Sequence, residues 1–174
     1  MDRFYLSCFL LFIISCTPRD SVEFFTEEAY FPVYVSMQGI DDIDYTNSRP
    51  TIRAGKIYAY GQYLFQNEIN EGIHVIDNSD PQQPIKKGFL KIPLSGEIAI
   101  KGNYLYSNNH SSLVVFDISN SDEPILVKKI ENVFPPVNQQ YPPFNNVRFE
   151  CPDPAKGVVA AWVLTTVDNA KCRR

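Results

Sequence analysis

The chain repeats itself. A unit that begins at Ile57, IYAYGQYLFQNEINEGIHVIDNSDPQQPI, returns at Ile98 as IAIKGNYLYSNNHSSLVVFDISNSDEPI. With one single-residue gap, Ile57, Gly61, Tyr63, Leu64 and Asn67 fall on Ile98, Gly102, Tyr104, Leu105 and Asn108. Val75, Asp77, Ser79, Pro84 and Ile85 then fall on Val115, Asp117, Ser119, Pro124 and Ile125, for a period of 40 to 41 residues. A repeat of that length is one supersecondary unit, and it buries its apolar face by stacking on its neighbour.

Each unit reads as four short strands. IYAY or IAIK makes the first, and Gly61 or Gly102 turns the chain where a positive φ is wanted. YLF or YLY follows, then a polar stretch, Gln66 to Gly72 or Ser107 to Ser112, that reads as a loop. IHVI and LVVF are apolar on both faces, the mark of a strand covered on both sides. Asp77 and Asp117 end those strands, because a carboxylate there accepts backbone N–H groups two residues on and starts a turn toward Pro84 and Pro124. IKKGFLKI and ILVKKI complete the units. Four strands in about 40 residues is the size of a propeller blade.

IHVID and LVVFD, each followed by Ser and Pro, resemble the LVIVD repeat. The match runs roughly from Tyr30 to Pro135 and includes PVYVSM, GKIYAYGQYLFQNE and ENVFP. The resemblance extends to a Bacteroidetes-type group of lipoproteins, and FECPDPAKGVVAAWVL near the C-terminus is similar to the end of such proteins. It implies a β-propeller-like fold and an address in the cell envelope, and it implies no activity. Two repeats near 57–93 and 98–134 are fewer than the four or more blades of a closed propeller. The expected fold is therefore all-β: two four-stranded blades plus flanking strands, in an open or incomplete propeller or sandwich. Strands from Tyr30–Met37, with Pro32 suggesting an edge, and from the segment 145–174 are candidates for a further incomplete sheet. Completion by a second chain is the other route, so a homo-oligomer stays open. Residues Gln38 to Pro50 read as a loop, and Val133 to Phe144, with four prolines, as an extended surface linker.

The N-terminus carries a different signal. Phe4 to Ile14 is an eleven-residue apolar run, too short to span a bilayer and the length of a signal-peptide core. Ile13-Ile14-Ser15-Cys16 resembles the lipobox of bacterial lipoproteins. The resemblance implies removal of residues 1–15 and acylation of Cys16, followed by a tether over 16–29 and a β-rich domain over 30–174. Two or three acyl chains make a stable membrane anchor where one does not. The address implied is the bacterial envelope, with the outer membrane favoured over the inner. Cys8 leaves with the signal peptide. Cys151 and Cys172 remain, and an oxidising compartment makes them one disulfide, with two free buried thiols as the other reading.

No catalytic constellation, cofactor motif or metal-ligand spacing is expected. The net charge of −4 comes without a basic stripe, which argues against nucleic acid. His74 aligns with Val114, so the repeat treats its position as a packing site. Asp77 and Asp117 recur with Pro84 and Pro124, which argues for turn chemistry over catalysis. Asp41, Asp42 and Asp44 lack the spacing of a calcium loop. Glu68, Glu71, Asn108 and His110 lie where loop tips of the two units are expected, and together form a possible ligand loop. The reading is a non-catalytic, lipid-anchored binding or scaffold module with an envelope protein or glycan as partner. Its rival is an envelope enzyme or sensor acting on glycans or peptides through those loop tips.

Overall fold

The computed structural model describes residues 26–168 and 170–174. The expected signal peptide, Cys16 and the expected tether up to residue 25 lie outside the described residues. In chain order the elements are β1 (Thr26–Val35), α1 (Met37–Ile40), β2 (Asp44–Asn47), β3 (Ala54–Tyr60), β4 (Tyr63–Glu68), β5 (Gly72–Asp77) and β6 (Ile85–Lys91). β7 (Ile98–Lys101), β8 (Tyr104–Asn109), β9 (Ser112–Asp117) and β10 (Ile125–Ile130) make the second unit. β11 (Arg148–Phe149), β12 (Val158–Asp168) and β13 (Cys172–Arg173) close the chain. The protein is nearly all-β, in three sheets ordered β2-β6-β5-β4-β3, β10-β9-β8-β7 and β12-β1-β11-β13.

Each repeat is an antiparallel meander. Gly61 and Gly102 sit in its first hairpin at φ +57°, a conformation that favours glycine. The two blades pack face to face. Phe65, Ile73, Val75 and Leu90 of the first meet Leu105, Val114, Phe116 and Ile118 of the second in one buried cluster. Each such side chain contributes about 1.5–3 kcal/mol by leaving water. The innermost strands β3 and β7 are joined at their edges: Tyr58 Oη donates to the Ile100 carbonyl at 3.3 Å, and Tyr60 Oη to Asn103 Oδ1 at 2.9 Å. The tyrosine stripe of the first blade is thereby spent on the seam between blades.

The flanks build the third sheet. β1 and β12 pair antiparallel over their whole lengths, with a bulge between Val33 and Tyr34. Ile40, Leu94, Val158 and Ala160 form a small second core that fixes this sheet to the blades. Asn70 Nδ2 adds a 2.8 Å bond to the Ala160 carbonyl.

Several expectations need correction. The sheet begins at Thr26, inside the stretch read as tether, because Thr26 to Ala29 pair with Asp168 to Thr165. β1 is flanked on both sides, so Pro32 is not in an edge strand. Its parallel contact with β11 is nonetheless limited to Tyr30 opposite Phe149, and Glu150 N–H donates to the Tyr30 carbonyl. The next rung of a parallel ladder would come from the N–H of residue 32, which proline lacks. Residues 38–50 are not all loop. Ser36 caps the helical turn α1, and β2 adds to the outer edge of the first blade, where Tyr45 lies against Gly88. The polar stretches QNE and SNN are strand, since their side chains are buried and hydrogen-bonded.

Candidate functional site

The first blade has a polar reverse face. Register puts Gln66 opposite His74, and His74 opposite Phe89, on the side turned away from the second blade. Residues 49–53, which carry the chain from β2 to β3, lie across it. Glu68, at the end of β4, is buried, and its carboxylate accepts the backbone N–H of Ile52 (3.1 Å) and of Arg53. It also takes a 3.0 Å bond from His74 Nε2. Thr51 Oγ1 lies 3.3 Å from the same nitrogen and accepts from Lys86 Nζ at 2.7 Å. Lys86 donates again to the Arg49 carbonyl, at 3.0 Å. The Arg49 guanidinium covers the Phe89 ring at 4.5 Å and pairs with Glu71 at 3.2 Å.

The electrostatics follow from burial and these bonds. Burial raises the Glu68 carboxyl pKa, but the His74 bond and the two backbone N–H groups outweigh it, and the net value lies below the ordinary 4.5. Burial pushes His74 below its ordinary 6.5. The Glu68 bond opposes that shift, and the charges of Lys86 and Arg49 reinforce it. The ground state is a neutral imidazole donating to a carboxylate, with two cations outside.

Beside this face a cleft of about 270 Å³ opens between the first blade and the β1–β12 pair. Its lining includes the apolar Val33, Ile52, Ala161 and Val163 and the polar Arg49, Arg53, Asn70 and Glu71. Its chemistry suits a chain segment with an apolar side and an acidic group. A larger hollow of about 560 Å³ lies beside the Cys151–Cys172 disulfide, where Tyr34, Tyr141 and Phe149 share the lining with Asn138, Gln140 and Asp153.

The structure separates the residues of the expected ligand loop. Glu68 is no loop tip: it is sealed and spent on backbone donors. Asn108 is a strand residue whose Oδ1 accepts from Gly96 N (2.8 Å) and Glu97 N (2.9 Å), just before β7, while Nδ2 donates to the Leu94 carbonyl. Glu68 does the same before β3, so the two residues brace the entries to the two blades. Each side chain accepts from two successive N–H groups and so satisfies both. His110 holds the β8–β9 turn at φ +54° and is half-buried. Glu71 alone of the four is exposed in a loop, and it borders the cleft.

Asp77 Oδ1 accepts from Ser79 N at 2.9 Å, and Asp117 Oδ1 from Ser119 N at 2.8 Å. The Ser79 N–H bond holds the Asp77 carboxyl below the ordinary 3.8, and for Asp117 the Ser119 hydroxyl, donating at 2.6 Å, does so together with the Ser119 N–H. Pro84 is exposed and Pro124 buried at the starts of β6 and β10. Asp41 and Asp42 pair with Lys129 and Lys91. Among the described residues no three His, Cys, Asp or Glu side chains are grouped to hold a metal ion. None of the helices among them is long and apolar enough to cross a membrane. Sequence reasoning missed Arg49, Thr51, Arg53 and Lys86 as neighbours of the Glu68–His74 pair. Only the pairing of β2 with β6, invisible in the local pattern, brings residues 49–53 over this face.

Residues 53–90 and 95–131 each match the model of the LVIVD repeat. No curated protein matches the chain, and no solved structure does.

Proposed function

From two LVIVD repeats stacked as adjoining blades, we propose a lipid-anchored binding or scaffold module of the bacterial envelope, held through Cys16 and engaging a partner protein at the cleft beside the first blade. The observation that carries the binding half is the cleft itself. Its lining combines the charged Arg49, Arg53 and Glu71 with the apolar Val33, Ile52 and Val163. A lining of mixed charged and apolar side chains favours an extended, amphiphilic segment with an acidic group. The anchoring half rests on the Ile13-Ile14-Ser15-Cys16 lipobox resemblance.

A second reading, an enzyme or sensor acting on glycans or peptides, draws on the Glu68–His74 pair. It requires that pair to meet a substrate, and residues 49–53 lie over it. The test is photo-cross-linking in intact cells from a benzophenone amino acid placed at Ile52, followed by mass spectrometry. A reproducible partner that disappears with Arg53→Glu supports the binding module. Capture of glycan fragments turned over by the purified protein would establish the rival instead.

A further inference from the structure

The blade interface inside this molecule has a counterpart that ends in solvent. The first blade meets the second through Tyr63, Phe65, Ile73, Val75 and Leu90, and the last four are fully buried. The repeat register carries these positions onto Tyr104, Tyr106, Leu113, Val115 and Ile130. Cross-strand pairing confirms that they share a face: Tyr106 is opposite Val115, and Leu113 is opposite both Asn108 and Ile130. The same face holds Ile125, opposite Asp117, which in turn is opposite Tyr104. The second blade thus presents much of the surface the first one buries, with Lys128 opposite Val115 where the first blade has Gly88 opposite Val75. Tyr104 is 43% exposed, Ile130 38% and Ile125 63%, around a Val115 that is 8% exposed.

We propose that this face is where two copies of the chain associate, back to back, about a two-fold axis. The first argument is continuity, since the equivalent positions already form a sheet-on-sheet core within the chain. The second is exclusion of the head-to-tail alternative. Stacking one copy's second blade on the next copy's first would need the reverse face of the first blade, and residues 49–53 close it over Glu68 and His74. Of the two blades' outward faces, the one left to a second copy is the same one, and a contact between two such faces is isologous. The third is chemical fit. A two-fold axis parallel to the strands, between β8 and β9, sets Tyr106 opposite the partner's Val115. It also sets the Tyr104 hydroxyl, a donor, opposite the partner's Asp117, an acceptor. Four strands about 4.8 Å apart and three same-face rows about 7 Å apart give roughly 400 Å² per copy. That is near half of the roughly 800 Å² per partner of a standard interface, so the association is weak and concentration-dependent.

Sedimentation velocity of the purified full chain in density-matched detergent tests this, independently of the cleft. The expected result is a mass that rises from one chain to two with concentration. Ile130→Glu should abolish that rise while the far-ultraviolet spectrum and cooperative melt are kept. Tyr104→Ser, a milder change at an exposed position, should shift the dissociation constant upward about tenfold. One chain at every concentration overturns the proposal. So does a dimer indifferent to both substitutions, or a stoichiometric complex in which a different protein occupies this face.

Discussion

His74 Nε2 lies 3.0 Å from Glu68 Oε2, and neither side chain reaches solvent. A carboxylate can only accept, so Nε2 carries the proton, and the bare Nδ1 is buried without a partner among the described residues. Removing Glu68 strands two backbone N–H groups and the imidazole. Glu68→Ala is expected to cost about 3 kcal/mol, read as a lower urea midpoint. The acid side of the stability curve has a definite sign. His74 in the unfolded chain takes a proton as pH falls below 6.5, and the buried imidazole does not until lower pH, so stability falls from there. Glu68 contributes stability that is complete above 4.5 and is lost as pH falls through its depressed folded value. Melting temperature against pH should therefore drop in two stages. His74→Val should remove the upper stage, and Glu68→Gln the lower. A wild-type profile flat from pH 7 to 4 would refute the assignment.

The repeat made much of this fold readable. Two blades, their strand count and the Asp–Ser turns follow from residues that recur, because recurrence separates packing from accident. The Glu68 cluster was not readable. QNE looks like a loop when hydrophobicity is the guide, yet in this chain those side chains are buried and bonded. Alternation of apolar residues cannot reveal a strand whose inward positions are polar. β2, DYTN, was hidden for a related reason: it is an outer strand with little apolar content, and Gly88 on the neighbouring β6, opposite Asn47, is what leaves room for the Tyr45 ring.

Glycine positions give a contrast. Gly72 opens β5 at φ +149°, and a Cβ there would overlap the Leu90 carbonyl oxygen and come within 2.8 Å of Phe89 Cζ. Gly72→Ala should destabilise by at least about 2 kcal/mol, since both the backbone conformation and the space refuse it. Gly61 has φ +57° with open space around its Cβ position. Gly61→Ala should cost only about 1 kcal/mol, the left-handed penalty alone. Thermal melts of the two variants, run together, check the difference. Equal losses would mean that crowding at Gly72 is relieved by movement of β6.

The proposed anchor depends on one sulfur. Cys16→Ser should abolish incorporation of labelled palmitate and move the protein from the membrane to the soluble fraction. Stability of the β-rich domain should be unchanged, because the described sheets begin ten residues later, at Thr26. Labelling that persists in the variant would place the acyl chains elsewhere and remove the lipobox reading.

The Cys151–Cys172 bond ties the last strand to the third sheet. β13 has only two paired residues, Cys172 opposite Phe149 and Arg173 opposite Arg148, too few to hold a terminal segment alone. The disulfide closes a loop of 21 residues, and its removal should cost about 3 kcal/mol through the freedom restored to the unfolded chain. Trp162, the chain's one tryptophan, reports on this region. Its ring meets Phe149 edge-on at 5.4 Å, and Nε1 donates to the Gln139 carbonyl of the proline-rich linker at 2.8 Å. Cys172→Ser, or reduction of the wild type, should red-shift Trp162 emission and lower the denaturation midpoint together. Trypsin should then release the C-terminus at Lys171 faster than it does from oxidised protein. If reduction leaves emission, midpoint and cleavage rate unchanged, β13 is held by its neighbours and the bond is incidental to the fold.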